Sequence, residues 1–498
     1  MASVTVVTIL VFYLIVLLLI GWWGGRESGG VSGYYVAEKK LPSWVIAFSS
    51  NATGESAWLL LGLTGMGYLV GVHAFWVILG ELGGVTLSWV LVARPFKEYT
   101  DRYDSITVPD FLENRFHDSG HALRIISAVI IFSMATVYVA AQLTASGRAF
   151  ESFLGTTYEA GVLIGAAIVL YYTTIGGFKA VAYSDVLQGV LMVTCLIALP
   201  IVGISAAGGW TDMTSALQAT DPALLRPLGE HGLSISGILS AVGFVAIGFA
   251  FLGSPHLLTR FISARHEDDI ADAAPIAVLC MAVFVVGAIL TGMAGRAVFP
   301  GLGDPETIYP VMGTELLPAF FTGIILVVLL AAIMSTVDSL LILASSAVVR
   351  DVIQKTFDPP WSQAAFSRWG KLTTVVIGAG AVAFALPQVR AIFWFVLFAW
   401  SGLASAFTPV VLCALFWRRT TRAGAISGMI AGFAGAVGWV LFFKAQFYDL
   451  YEMIPGFALG FAAIVGVSLV TSPPAGATEE FESVWRSVGR PFKGGGGR

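Results

Sequence analysis

The residues best suited to binding a small cation lie in two apolar segments. In the first, Leu41 to Gly71, the polar stretch SSNATGES interrupts the apolar run and carries Glu55. An acid at bilayer depth costs roughly 2.5 to 3.5 kcal/mol on insertion scales, so it marks a functional site. Asn, Ser and Thr compete for backbone hydrogen bonds and Gly54 adds flexibility, so the stretch predicts a broken helix. The carbonyl oxygens freed by the break, beside small polar side chains, suit a dehydrated alkali cation.

The second segment, LLAAIMSTVDSLLILASSAVVRD, carries a stripe of small and hydroxyl side chains. Ala332, Ser335, Thr336 and Ser339 fall at i, i+3, i+4 and i+7, with Asp338 beside them. Ser and Thr in membrane helices often bond the carbonyl one turn back or pack against a neighbouring helix. The adjacent acid and the broken partner helix favour a cation site over a hydroxyl that only bonds its own backbone or only packs against another helix.

The composition defines the class of protein. Of 498 residues, 57% are hydrophobic and 12% charged, whereas soluble domains carry about 25% charged residues. The sequence therefore predicts a multi-pass protein of the lipid bilayer. A net charge of -4 without a basic block argues against nucleic-acid binding, and nothing indicates an obligate protein partner. The three cysteines lack metal-ligand spacing and are predicted to be buried free thiols.

Apolar runs of about 20 residues predict thirteen membrane-crossing helices. Their approximate limits are 4–23, 42–70, 74–95, 123–148, 157–177, 182–207, 234–256, 275–296, 315–349, 368–388, 392–417, 422–444 and 454–472. The ninth run is too long for one span, so an extra helix or re-entrant segment is expected before it. With the N-terminus outside and the C-terminus inside, 22 of the 27 Lys and Arg residues lie on one face of the bundle, here called the basic face. This face is predicted to be on the cytoplasmic side of the plasma membrane.

Gly and Pro interrupt the seventh span, GFVAIGFAFLGSPHLLTRF, as the polar stretch interrupts the second. Gly and Pro are common in membrane helices, but the matched spacing favours inverted repeats, whose broken helices form binding sites in secondary transporters. The predicted organisation is a peripheral helix and loop (1–41), a first repeat (42–207), a second repeat (234–417), peripheral helices (418–472) and a cytoplasmic tail expected to be disordered (473–498).

Five motifs carry a resemblance to a known family. They are SAWLLLGLTG after the first break, LRIISAVIIF leading to Tyr138, TTIGGFKAVAYSDVLQ, GSPHLLTRF and AAIMSTVDSLLILASSAVVRD. The chain resembles the sodium/solute symporter family, and within it the sodium/proline symporters. The resemblance implies an all-α polytopic fold with a core of ten helices in two inverted five-helix repeats, and a co-transported sodium ion.

The resemblance also implies binding residues. The positions matching a first sodium site are the carbonyls of Ala52, Glu55 and Ala332 and the hydroxyls of Ser335 and Thr336. Some members bind a second sodium ion, and the matching positions are Asp185, Ser335, Asp338 and Ser339. The positions matching the substrate site are Ser56, Trp58, Tyr138, Phe251 and Pro255.

Three departures bear on the substrate. Proline members carry an aspartate in the break, where this chain has Gly54 and the acid is displaced to Glu55. They carry a tryptophan and a tyrosine on the seventh span, where this chain has Ile247 and Phe251. The sodium prediction is unaffected, but the assignment to proline is weakened.

The other titratable side chains in these spans have several readings. Glu55 either balances the charge of the cation, binds a substrate amine or points into water near the break. Glu81 is predicted to be a hydrogen-bonded structural acid, and His256 a satisfied polar residue at a helix end.

Together these observations predict a sodium-coupled symporter that imports a small amino acid, with L-proline favoured, by alternating access. The alternative is sodium- or proton-coupled uptake of another small organic solute such as a carboxylate. A membrane-embedded enzyme is disfavoured, because no His/Asp or Cys/His arrangement clusters at a shared depth.

Overall fold

The computed structural model describes residues 3–26, 29–387 and 392–489. Within these ranges the protein is helical, and the only β-type pairing is an isolated bridge between Leu41 and Ala264. In chain order the main helical segments are Val4–Gly25, Gly30–Val36, Ser43–Gly54, Trp58–Leu63, Thr64–Val70, Gly71–Phe75, Trp76–Leu87, Ser88–Val92, Ala93–Arg102, Val108–Arg115, Ala122–Leu154, Tyr158–Ala206, Trp210–Thr220, Ile235–Ala246, Ile247–Leu252, Pro255–Ser263, Glu267–Val298, Ile308–Glu315, Ala319–Ser346, Ala347–Phe357, Gln363–Ala385, Ile392–Phe416, Arg422–Gly438, Trp439–Phe443, Met453–Val470 and Ala477–Val488.

Within the described residues, ten helices are long and apolar enough to cross a membrane. The longest, Tyr158–Ala206, would extend roughly 70 Å if straight, more than twice the hydrocarbon thickness. It breaks at Gly177, where φ is 58° and an added Cβ would lie 2.8 Å from the Tyr34 ring. Gly177 therefore separates the two spans predicted there, while the total of thirteen remains a prediction.

Two helices are interrupted in the middle. The first broken helix, residues 43–70, loses its regular backbone at Glu55, where φ is -109° and ψ is 90°. The second broken helix, residues 235–263, tightens into a 3-10 turn over Ile247–Leu252 and restarts at Pro255. Pro suits a first helical position because it lacks the N–H that would be unpaired there. Both predicted breaks are confirmed.

The central helix, Ala319–Ser346, is deeply enclosed, and from Leu326 onward every one of its side chains is buried. The short helix Ile308–Glu315 precedes it, which confirms the extra helix expected there. By contrast, Val4–Gly25 and Met453–Val470 present most of their apolar side chains outward. Such exposure is expected of peripheral helices whose solvent is lipid.

The prediction of a disordered tail is wrong for residues 477–488. This segment is a helix, and its Trp485 is 7% exposed and donates from Nε1 to the carbonyl of Leu415 at 2.8 Å. Val484 is buried beside it, so two apolar side chains hold an otherwise polar helix against the bundle. Residues 490–498 of the predicted tail lie outside the described residues.

An ion-pair network joins three helical segments on the basic face. Arg124 donates from Nη1 to Asp110 at 2.6 Å and to Asp351 at 2.9 Å, and from Nε to Glu113 at 2.7 Å. Arg350 adds a bond to Asp110 at 3.2 Å. Burial acts to raise the pKa of Asp110, but Arg350 and Arg124 outweigh it and hold that pKa below its usual value. We call these five residues the basic-face network.

Candidate functional site

The two segments singled out for cation binding meet in the centre of the fold. Ser335 Oγ on the central helix lies 2.8 Å from the Ala52 carbonyl oxygen and 3.1 Å from that of Ala332. Thr336 Oγ1 lies 3.2 Å from the carbonyl oxygen of Thr53 and 3.3 Å from that of Ala332. We call these three carbonyls and two hydroxyls the first oxygen cluster.

The first oxygen cluster fits a dehydrated sodium ion by its chemistry. All five residues are buried, and their five oxygens are neutral. Hydroxyl hydrogens can rotate, so both hydroxyls can direct lone pairs at a cation and release the carbonyls they now bond. The Thr53 carbonyl was missed from the sequence, although its position inside the break was the signal that could have found it. The Glu55 carbonyl stays a predicted ligand.

A second group of oxygens surrounds a buried arginine. Arg260, on the second broken helix, donates from Nη2 to Asp185 Oδ2 at 3.1 Å, to Thr53 Oγ1 at 2.6 Å and to Ser339 Oγ. Ser49 donates to the same Asp185 oxygen at 2.6 Å. We call the side-chain oxygens of Ser49, Thr53, Asp185 and Ser339 the second oxygen cluster.

The four residues matched to a second sodium ion do not lie in a single cluster of the structure. Asp185 and Ser339 belong to the second oxygen cluster, whereas Ser335 belongs to the first. Asp338 accepts from Tyr172 at 2.7 Å and from Ser339 at 3.1 Å. Sequence reasoning missed Arg260, although it stands in the GSPHLLTRF motif and is charged within an apolar span.

The residues matched to the substrate lie around a buried aromatic cluster beside the first break, here called the predicted pocket. Tyr138 Oη lies 3.4 Å from Ser56 Oγ, which also accepts from the Trp58 amide at 3.1 Å. The ring of Trp400 lies 5.3 Å from that of Phe251 and 6.4 Å from that of Tyr138. Trp400 completes the pocket and was not predicted.

The second broken helix adds two further residues near this pocket. Pro255 opens its last helical segment, and the next residue, His256, packs its ring 5.6 Å from that of Trp400. Neither ring nitrogen of His256 has a hydrogen-bond partner among the described residues, so the prediction of a satisfied histidine is wrong.

Two of the departures from the proline pattern contact each other. A Cβ added at Gly54 would lie 2.8 Å from Phe251 Cε1, closer than real Cβ atoms approach. Gly54 therefore leaves the space that the edge of the phenyl ring fills. A larger side chain at this position would require the ring to shift.

Glu55 and Glu81 form a buried acid pair. Their carboxyl groups contact each other, and both residues are almost fully buried. Neither oxygen of Glu55 has a hydrogen-bond partner among the described residues, and the side chain is fully buried, so the reading in which Glu55 points into water is wrong. Glu81 was predicted to be a hydrogen-bonded structural acid, and the side chain that lies against it is the acid Glu55. Nearby, Gln142 Oε1 accepts from the Ala57 amide at 3.0 Å and so satisfies the backbone just after the break.

Cavities lie on both sides of this centre. On the face opposite the basic face, a cavity of about 500 Å³ is lined by His73, Leu224, Ile247 and Tyr451, among others. Between Arg260 and the basic face, the space lined by Thr107 and Ser339 measures about 10 Å³. The cavity on the first of these faces is therefore much larger than the space beside Arg260.

Two broken helices joined through buried oxygens, beside an aromatic cluster, are the arrangement found in inverted-repeat secondary transporters. The chain belongs to the sodium:solute symporter family, whose model matches residues 34–432. It is therefore a multi-pass membrane transporter of a small-molecule substrate and not an enzyme, and membership of the family implies coupling to sodium.

Relatives of known function align over nearly the whole chain. The high-affinity proline transporter PutP of Bacillus subtilis is 36% identical over 460 residues, which cover 91% of this chain and 96% of the relative. The sodium/proline symporter of Staphylococcus aureus is 33% identical, covering 91% and 90%. The osmoregulated proline transporter OpuE of Bacillus subtilis is 34% identical, covering 90% and 91%.

Solved structures show the same fold. A Na+-coupled sialic acid symporter in a substrate-bound outward-open state superposes with a TM-score of 0.81 at 18% identity, covering 95% of this chain and 99% of that one. Mhp1, a nucleobase-cation-symport-1 family transporter, gives a TM-score of 0.54 at 13% identity, covering 92% and 99%. The all-α fold with inverted repeats and broken helices is thus confirmed.

Proposed function

We propose that this protein imports a small amino acid, with L-proline favoured, together with sodium across the plasma membrane. The observation that carries the proposal is the first oxygen cluster, which links the first broken helix to the central helix one turn from Ser56. The names of the relatives, which are proline transporters, support the choice of solute.

In the proposed mechanism, sodium acts through the shape of the break. An ion bound by Ala52, Thr53 and Glu55 carbonyls and by the central helix would fix the backbone that carries Ser56. Substrate and sodium would then each bind more tightly when the other is present, because such coupling is reciprocal. The helix restarting after the break offers N–H groups and a positive partial charge to a substrate carboxylate.

The proposed orientation places the N-terminus outside and the basic face in the cytoplasm. The cavity of about 500 Å³ then opens to the outside, and the basic-face network closes the inner side. Entry of substrate would be followed by loosening of that network and release inward, down the sodium gradient.

A second candidate function is uptake of another small organic solute coupled to sodium or protons. The buried acid pair and the replacements at Gly54 and Phe251 favour it, because they alter the charge and shape beside the predicted pocket. The carboxyl groups of Glu55 and Glu81 would suit a solute that carries a cationic group, or a coupled proton.

Uptake of radiolabelled L-proline into proteoliposomes tests the proposal. An imposed inward sodium gradient should drive accumulation, and replacing sodium with potassium should abolish it. If only close analogues of proline inhibit this uptake, the result supports proline as the transported solute. Sodium-driven uptake of a different solute, with none of proline, would transfer support to the second candidate, and solute uptake indifferent to sodium would contradict the coupling.

A further inference from the structure

His256 carries a buried imidazole whose hydrogen-bonding capacity is not used within the protein. The residue is fully buried, and neither Nδ1 nor Nε2 has a hydrogen-bond partner among the described residues. Its ring packs against two aromatic rings of the predicted pocket, 5.6 Å from Trp400 and 6.4 Å from Tyr138. A buried polar group without a partner destabilises a protein, so this imidazole indicates a partner that the chain itself does not supply.

Two hydroxyl groups close to His256 are unpaired in the same way. Ser254 is the N-cap residue of the helix Pro255–Ser263, but its hydroxyl makes no capping bond. Neither this hydroxyl nor that of Thr408 has a hydrogen-bond partner among the described residues, and both residues are fully buried. Thr408 lies against the same break, because a Cβ added at Gly253 would be 2.8 Å from Thr408 Oγ1. The two hydroxyls and the imidazole therefore lie around the start of this helix.

The surroundings of the imidazole are electropositive. The first turn of the helix Pro255–Ser263 carries the positive partial charge of a helix N-terminus. Arg260, one turn further on, donates from Nη1 to the His256 carbonyl at 2.8 Å, and its charge acts on the imidazole. A buried imidazole beside a positive charge is neutral, with one N–H to donate. The partner that suits this N–H in positive surroundings is an anionic oxygen, such as that of a carboxylate.

We propose that His256 is a substrate-binding residue whose imidazole N–H donates a hydrogen bond to the carboxylate of the solute. The inference rests on the proposed function and deepens it by naming the group that the second break recognises. Backbone N–H groups after the first break and the imidazole after the second each bind one carboxylate oxygen. The solute thereby links the two broken helices, and His256 selects for solutes that carry an acid group.

Competition against uptake of radiolabelled L-proline tests this bond. L-prolinamide, in which a neutral amide replaces the carboxylate, is the matched inhibitor. A hydrogen bond to a charged group contributes roughly ten- to a hundredfold in affinity. His256→Leu should therefore reduce the preference for L-proline over L-prolinamide by about tenfold or more. His256→Gln keeps an N–H donor and should retain most of the preference.

Thermal unfolding in the absence of any solute tests whether the imidazole is unpaired. His256→Leu replaces an unpaired polar ring by an apolar side chain in aromatic surroundings, so the unfolding midpoint should rise. His73 is the matched control, because it is also buried but both of its nitrogens have partners. Nδ1 lies 2.8 Å from the Pro227 carbonyl oxygen, and Nε2 lies 2.8 Å from Ser240 Oγ. His73→Leu should therefore lower the midpoint.

The outcomes separate the inference from the proposed function. Sodium-driven uptake of L-proline with an unchanged preference in His256→Leu would overturn the inference alone. A lower unfolding midpoint for His256→Leu, or a failure to fold, would also overturn it, because the imidazole would then be bonded within the folded protein. If the wild type takes up no L-proline in a sodium gradient, the proposed solute is wrong. A sodium-driven solute without a carboxylate would then overturn the inference, and one with a carboxylate would support it.

Discussion

Ser335 and Thr336 place hydroxyls between carbonyls of two different helices, so each residue joins the central helix to the first break. Replacing both by alanine removes two of the five oxygens of the first oxygen cluster. The protein should still insert, because alanine is compatible with the buried helix. The expected result is sodium-stimulated uptake reduced to the sodium-free background, with sodium affinity weakened more than tenfold.

Ser346 provides the control for this experiment. Its hydroxyl lies on the same helix and donates to the Leu343 carbonyl one turn back. Ser346→Ala should retain uptake close to that of wild type. Sodium dependence unchanged in the Ser335→Ala, Thr336→Ala variant would rule out the first oxygen cluster as the sodium site.

Gly54 and Phe251 should behave as a coupled pair. Gly54→Ala introduces a methyl group into the space of the phenyl ring, so the KM for the transported solute should rise several-fold. Phe251→Leu removes the ring edge and should partly rescue the Gly54→Ala variant. The measurement is a double-mutant cycle on KM, in which contacting residues give non-additive effects. Strictly additive effects would show that the contact has no influence on the pocket.

The break in the first helix depends on side chains from a different helix. A break exposes backbone groups that lipid cannot satisfy, and Gln142, on Ala122–Leu154, accepts the amide of Ala57. Polar residues and Gly within an apolar run were enough to predict where the backbone would break. They could not predict Gln142 as the partner, because 85 positions separate it from Ala57.

Gln142→Leu should therefore destabilise the protein. It leaves the buried Ala57 amide unpaired, a loss of about 1 to 3 kcal/mol. Gln142→Glu keeps an acceptor at the same place and serves as the comparison. The midpoint of thermal unfolding in detergent should fall clearly for the leucine variant and less for the glutamate variant. Equal midpoints for wild type and Gln142→Leu would contradict this role.

At the scale of the whole molecule, the basic-face network should make stability depend on pH. Because Arg350 and Arg124 lower the pKa of Asp110, its carboxylate stabilises the folded state above its unfolded pKa of about 4. That contribution is lost as pH falls through the lower pKa of the folded protein. Asp110→Asn should therefore lower the free energy of unfolding at pH 7 by roughly 1 to 3 kcal/mol. The variant should unfold at a lower temperature than wild type.

The difference between the two proteins should narrow as the pH falls from about 4, where Asp110 of the unfolded chain binds a proton, to the lower pKa that Asp110 has in the folded protein. Unfolding midpoints measured from pH 7 down to pH 3 test this expectation. A gap that stays constant over the whole range would mean that the charge of Asp110 is not what stabilises the network.

The sequence by itself determined the membrane class, the two broken helices, the hydroxyl stripe and the family. Each of these rests on local composition and spacing, which a helix converts directly into a face or a break. Even the distribution of Lys and Arg is a property of the order of residues along the chain.

Only the tertiary structure decided which groups share a site. Ser335 and the Ala52 carbonyl are 283 positions apart, and Arg260 is 75 positions from Asp185. The placement of a guanidinium in the second oxygen cluster, the contact of Glu55 with Glu81 and the docking of the tail helix through Val484 and Trp485 all depend on how helices pack. Packing is a cooperative property of the whole bundle, and no short stretch of residues specifies it.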